Sequence, residues 1–307
     1  MELQITTLIE NMPDDEELLA CEHGLSMYIE FAGKKILFDT GQTGEFVSNA
    51  QKLGKSLTEM DYFIISHGHY DHSGGVVRLM ETRKDEMCQD TRGGGKSLQL
   101  IPMYVGQEFF HKKYKHLSDG SYRFNGNSFT EEDLPKEKVA LHKVTADVTY
   151  LEENIMLFKN FRKVTDFEKP NPKFVVERSD TAASSQEPED EKCVLSFEQD
   201  DFRDELALVL RTSKGLVVVV GCSHVGIVNI LKTIIERTGE HIYSVIGGTH
   251  LVEADEERLT KTIEALRHMG LSQIAVSHCT GEAGMECVER AFGSNFVKNN
   301  TGHVYVV

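Results

Sequence analysis

The run Asp61-Tyr-Phe-Ile-Ile-Ser66, followed by His67-Gly-His69-Tyr-Asp71-His72-Ser-Gly-Gly75, decides how this chain is read. Tyr62 to Ile65 is aromatic and β-branched, the composition of a short buried strand. It runs into a loop with three imidazoles and a carboxylate between His67 and His72, and a helix is expected to start near Val76. Imidazole nitrogens beside a carboxylate suit zinc, iron or manganese, and a catalytic zinc keeps one coordination position open. A short loop cannot wrap all four side chains around one ion. His67 and His69 are therefore expected on one metal and Asp71 and His72 on a second, with a bridging hydroxide as nucleophile. A surface histidine cluster or a purely structural metal is the plainer alternative.

Working outward, Gln4 to Glu10 alternates as a strand, and Leu25 to Phe31 pairs with Ile36 to Asp39 through a turn at Gly33. Val139 to Thr145 and Val148 to Phe158 also alternate, whereas 103–126 is mixed. The second half repeats the grammar of the first. Strand Leu206 to Arg211, a turn at Gly215 and strand Leu216 to Val220 lead to the loop Gly221-Cys222-Ser-His224 and a helix from Gly226 to Arg237. Strand Ile242 to Ile246 ends in Gly247-Gly-Thr-His250 before a helix from Asp255 to Met269. Strand Gln273 to Ser277 ends at His278, followed by helix Met285 to Phe292 and strand His303 to Val307. In a layered α/β protein, loops at one end of the strands make the site, and four strand ends here carry histidine.

The chain has 307 residues, 33 Lys plus Arg and 49 Asp plus Glu, for a formal charge of −16. That balance disfavours a nucleic-acid partner, and a small-molecule substrate is expected instead. The amino terminus lacks a basic and an apolar leader segment, no apolar run is long enough to span a membrane, and the six cysteines form no Cys-x-x-Cys pair. A cytoplasmic protein is expected, folded as one domain over 1–307 with flexible insertions near 82–97 and 178–192. The acids between Glu187 and Glu205 are read as a solvated loop away from the histidine motifs, and His111-Lys-Lys-Tyr-Lys-His116 as an exposed helix face. With much of the negative charge set apart, the pocket is expected to be locally positive, with Lys112, Lys113, Lys115, Arg162 or Lys163 in reach.

Asp39-Thr40-Gly41, the His67 to Gly75 motif and the single histidines at later strand ends resemble the metallo-β-lactamase fold superfamily over nearly the whole chain. The resemblance implies a four-layer αββα sandwich, two divalent metal ions at the edge between two sheets, zinc first with iron or manganese as alternatives, and hydrolytic chemistry. Gly221-Cys-Ser-His-Val-Gly-Ile-Val-Asn229, Gly247-Gly-Thr-His-Leu251 and Ser277-His-Cys-Thr-Gly281 resemble the branch named for 7,8-dihydropterin-6-methyl-4-(β-D-ribofuranosyl)-aminobenzene-5′-phosphate synthase, as does Phe161 to Glu168 more weakly. By that resemblance His278 completes the second metal site. The superfamily's separate third histidine and its bridging Asp after a Gly are missing, and Gly221-Cys222 stands where Gly-Asp would be. His224 is expected to supply the missing imidazole, with His142 as the fallback. Cys222 is expected near the metals, as a thiolate ligand or an inert buried thiol. His250 is expected to donate a proton or cap the site, and Asp39 to orient a ligand. His23, His111, His116, His241, His268 and His303 are read as surface or packing residues.

The expected function is dinuclear metal-dependent hydrolysis of a small anionic phosphodiester, ester or lactone, in which Asp71 both ligates and accepts a proton. The alternative is a transferase joining a pterin diphosphate to 4-(β-D-ribofuranosyl)aminobenzene 5′-phosphate. A nuclease, a non-catalytic sensor and a flavin-linked reductase of dioxygen or nitric oxide have less support. The composition gives neither the substrate-binding residues nor the oligomeric state.

Overall fold

The computed structural model describes residues 2–89, 100–179 and 195–307. Seven strands form a first sheet in the order Val304–Val306, Leu3–Ile9, Ser26–Phe31, Lys34–Phe38, Tyr62–Ile64, Ile101–Gly106, Val139–Val144. Six form a second, in the order Gln273–Ser277, Ile242–Gly248, Gly215–Val220, Ala207–Thr212, Ile155–Phe158, Val148–Glu152. A third sheet of four strands, Leu195–Gln199, Phe174–Ser179, Lys113–His116 and Tyr122–Phe124, contributes Phe174, Lys115 and Arg123 to the lining of the site.

The layering follows from alternation along strands buried on both faces. Val217 and Val219 pack with Leu3, Ile5, Ile29 and Ile36 in a core between the two large sheets. Leu216, Val218 and Val220 point the other way, into a core shared with helices Ile227–Thr238, Glu256–His268 and Glu282–Phe292. Leu37, Phe63 and Met103 of the first sheet face helices Phe46–Lys52 and Val76–Gln89 through Phe46, Ala50, Leu79 and Met80. Helix, sheet, sheet and helix make the expected four-layer αββα sandwich. Double burial is why Leu216 to Val220 is a continuous apolar run rather than an alternating one.

Several expectations need correcting. The helix beginning at Val76 runs to Gln89, so the insertion read at 82–97 is helical over its first half. Of the second, Arg178 and Ser179 close a strand. The remainder of both falls outside the described residues. Val148 to Phe158 is a hairpin of two strands turning at Glu153 and Asn154, rather than one. The stretch His111 to His116 holds a strand, Lys113–His116, and no helix. Lys113, only 2% exposed, is held by Asp200 at 2.6 Å and Asp204 at 3.0 Å. Asp200, Asp204 and Glu205 are therefore buried partners and not part of a solvated acidic loop. No helix among the described residues is long and apolar enough to cross a membrane.

Candidate metal centre

Parallel pairing brings the site residues to one end of both large sheets. Lys34–Phe38, Tyr62–Ile64 and Ile101–Gly106 run parallel in the first sheet, and Gly215–Val220, Ile242–Gly248 and Gln273–Ser277 in the second. The loops leaving their carboxyl ends carry Asp39, His67 to His72, Cys222 and His224, His250, and His278. Asp39, Ser223, His250 and His278 adopt φ of +60°, +59°, +48° and +55°. Non-glycine residues in this region cost energy and persist where their surroundings over-determine them.

Buried carboxylates hold much of the backbone of these loops. Glu205 accepts from the backbone N–H of His224 at 2.6 Å and of Val225 at 2.9 Å. Glu10 accepts from His278 N–H at 2.5 Å, and Asp204 from Gly68 N–H at 2.7 Å. Asp39 accepts from the N–H and hydroxyl of Ser66, both at 2.7 Å, and its Oδ2 lies 2.7 Å from His72 Nδ1. That contact turns His72 Nε2 toward the cavity floor.

Two buried donor groups converge there. In the first, His67, His69 and His224 bring ligand atoms within 4.8 Å of one another, with His67 Nε2 and His69 Nδ1 3.1 Å apart. In the second, Asp71, His72, Cys222 and His278 do the same. His72 Nε2 lies 3.1 Å from Cys222 Sγ and 3.2 Å from His278 Nε2, which is 3.3 Å from Asp71 Oδ2. The groups adjoin, since the His67 and His72 rings are 4.3 Å apart.

Burial holds His67 and His224 well below the ordinary imidazole pKa and takes His69 to about 3, so their rings are neutral and offer lone pairs. Burial opposes ionisation of Asp71, but His72, His23 and His278 outweigh it and hold the carboxyl well below its usual range. Burial likewise opposes charge on His72, and Asp39 and Asp71 overcome it, lifting the ring to about 9. His224 Nε2 is buried without a partner among the described residues. Imidazoles converging nitrogen to nitrogen, next to a carboxylate and a thiol, are a donor set for transition metals, so these residues fit the ions the sequence implied.

A cavity of about 230 Å³ opens above them, its walls including His23, Lys115, Arg123, Asn125 and Phe174. Lys115 Nζ lies 2.8 Å from Glu253, which also approaches His250 Nε2 at 3.4 Å. The fold thus gathers His67, His69, Asp71, His72, His224, His278, Cys222, His250 and Asp39 in one place. It does not gather His142, which sits exposed on the edge strand Val139–Val144 of the first sheet, stacked on Tyr104 at 4.8 Å. Of the cations expected in reach, Lys115 lines the cavity; Lys112, Lys163 and Arg162 pair with Glu177, Asp201 and Glu236 elsewhere. His23, read as a surface or packing residue, stands with Nε2 3.3 Å from Asp71 Oδ2 and its ring 5.1 Å from that of His278. No motif surrounds it; the fold brings it in, with Leu25 N–H on the Asp71 carbonyl and Asn11 beside its ring. Cys279 and Arg123 were also missed, although Cys279 directly follows His278.

With this fold and histidine-rich site, the chain belongs to the metallo-beta-lactamase superfamily, whose profile matches residues 19–86. It is 31% identical to 7,8-dihydropterin-6-methyl-4-(beta-D-ribofuranosyl)-aminobenzene-5′-phosphate synthase of Methanocaldococcus jannaschii, across 98% of this chain and 96% of that protein. Among solved structures it resembles Tm1679, a metal-dependent hydrolase of the beta-lactamase superfamily, at 28% identity and a TM-score of 0.77 over 99% of this chain and 98% of that one. YhfI from Bacillus subtilis, a metallo-beta-lactamase fold protein, shares the fold at 11% identity, with a TM-score of 0.56 over 100% and 99% of the two chains.

Proposed function

We propose that the protein is a two-metal hydrolase of a small anionic substrate, a phosphodiester, ester or lactone. One observation carries this: two adjoining donor groups floor a cavity whose walls carry Lys115 and Arg123. His67, His69 and His224 would hold one divalent ion, zinc before iron or manganese, and Asp71, His72 and His278 the other, with Cys222 beside it. When bound, such a pair supplies Lewis acidity and a water acidic enough to attack at neutral pH.

The chain's own residues do the rest. Lys115 and Arg123 attract the anion and fix which end of the substrate faces the floor, against the protein's overall negative field. Phe174, packed against the rings of His69, His224 and His250, keeps that floor dry. Asp71 is too acidic to keep a proton. It passes the one released on attack to His23, whose side chain is 51% exposed and delivers it to solvent. Burial opposes charge on His250, but Cys279 and Glu253 outweigh it and lift the ring to about 9, so it carries the proton that the leaving oxygen needs.

Transfer between a pterin diphosphate and an aminobenzene ribosyl phosphate is the second reading, favoured by the near full-length similarity to the synthase. The two adjoining donor groups, which suit a metal-activated water, put hydrolysis first. A panel of phosphodiesters, esters and lactones, run beside the pterin and aminobenzene substrates, tests both. Turnover of a panel member that disappears in His67→Ala supports hydrolysis. Coupling activity without hydrolysis would replace it with transfer, and panel activity that survives His67→Ala intact would remove the metal mechanism.

A further inference from the structure

A third group of donors lies beside the two that the hydrolase uses. Cys222, His250 and Cys279 place ligand atoms within 4.8 Å of one another, and all three are buried. The cysteines stand at 2% and 6% exposure, yet both line the cavity, so the group is reached from the substrate side. Cys279 Sγ accepts from His250 N–H at 3.3 Å and approaches the carbonyl of Cys222 at 3.5 Å. Gly248 makes room for this: a Cβ there would meet Cys279 Sγ at 2.5 Å and Cys222 Cα at 3.4 Å.

His250 supplies a second, independent observation. Its side chain is more than nine-tenths buried, and Nδ1 has no hydrogen-bond partner among the described residues. Nε2 meets the Glu253 carboxylate at 3.4 Å, which in turn is held by Lys115. A carboxylate on one imidazole nitrogen fixes the tautomer that frees the other as a ligand, an arrangement common behind metal-binding histidines. The backbone of His250 is held at φ +48° while doing so.

We propose that Cys222, Cys279 and His250 form a further cation site for a thiophilic metal such as zinc, cadmium or copper(I), with Cys222 shared between it and the Asp71, His72 and His278 group. Two thiolates and one imidazole are soft donors, and the cavity leaves the fourth position to water or ligand. Loading displaces to solvent whatever protons the two sulfurs and Nδ1 of His250 carry, with no change of oxidation state. A cation on Nδ1 and a proton on Nδ1 exclude each other. Where His250 serves as the proton donor proposed above, occupancy of this site inhibits; that consequence rests on the hydrolase reading, and the site itself does not.

The test is a cadmium titration of metal-stripped full-length protein in which Cys21, Cys88, Cys193 and Cys287 are replaced by serine. Bound metal is read by elemental analysis and thiolate ligation by its ultraviolet charge-transfer band. The expected result is about three equivalents, falling to about two in Cys279→Ser with loss of more than half the band. Two equivalents in both proteins with an unchanged band would overturn the third site and leave the two-metal centre standing. Fewer than two in both would remove both. Should Cys279→Ser not fold, alkylation of the parent protein decides. Protection of Cys279 by the third equivalent supports the site, and equal labelling with and without it overturns the site.

Discussion

Replacing Lys113 by methionine isolates a buried ion group that connects the third sheet to the metal loop. The lysine side chain is 2% exposed and its ammonium lies 2.6 Å from Asp200 and 3.0 Å from Asp204, whose side chains are 5% and 1% exposed. Asp204 also accepts from the N–H of Gly68, between His67 and His69. Methionine fills similar volume but leaves two carboxylates buried without a cation. Breaking a buried pair in this way costs about 3–5 kcal/mol. At roughly 2 °C per kcal/mol in a chain of this length, the melting temperature falls by roughly 6–10 °C. The loss depends on pH with a defined sign. Burial opposes ionisation of Asp204, but Lys113 outweighs it and lowers the carboxyl's pKa, so the wild-type contribution is present above the ordinary Asp range and is lost as pH falls through the folded value. Without Lys113 both carboxyls are pushed up by burial and are accommodated once protonated. The deficit is therefore largest near neutrality and shrinks toward acid. Urea unfolding followed by circular dichroism at about pH 7 and about pH 4.5 measures it. A loss under about 1 kcal/mol at neutral pH, or one that does not shrink in acid, would refute the buried-ion account.

Asp39→Asn removes the carboxylate that holds His72 Nδ1 and is expected to weaken metal binding by roughly 10–100-fold with little change in fold, measured by competition with a chelating dye. Glu205→Gln leaves one acceptor for two backbone N–H groups and turns an amide donor on the other; the loop of His224 shifts, and melting falls by an amount corresponding to about 1–3 kcal/mol. Glu205 is pushed up to about 7 by burial, so in the wild type its ionisation costs stability as pH rises from the ordinary Glu range to neutrality. The variant loses that slope, which unfolding across those pH values records. His142→Ala is expected to keep its full metal content, and a drop of a whole equivalent would return that residue to the site.

What the sequence disclosed and what it hid divide by distance along the chain. His67, His69, Asp71 and His72 sit within one turn-sized loop, so their chemistry is visible in a string of residues, and the strand-then-histidine pattern at His224, His250 and His278 is local too. The sandwich came through the resemblance those motifs carry, and the Leu216 to Val220 run agrees with a strand covered on both faces. Lys113 and Asp200 are 87 residues apart, and nothing nearby marks either as buried; charge density alone suggested solvent for both. The acidic stretch misled because Asp204 and Glu205 are buried, held by backbone N–H groups of distant loops at Gly68 and His224. His23 reaches Asp71 through contacts between distant segments, among them Leu25 N–H to the Asp71 carbonyl and Gly24 N–H to Asn11, which no composition shows.

The central claim is that two adjoining groups each hold an ion. Elemental analysis of zinc-reconstituted protein after desalting tests it most directly, comparing wild type with His67→Ala and His278→Ala. Each substitution is predicted to lower the metal-to-protein ratio by about one equivalent, and the pair together by about two. A wild type holding under about half an equivalent, or variants that keep the wild-type ratio, would contradict the claim.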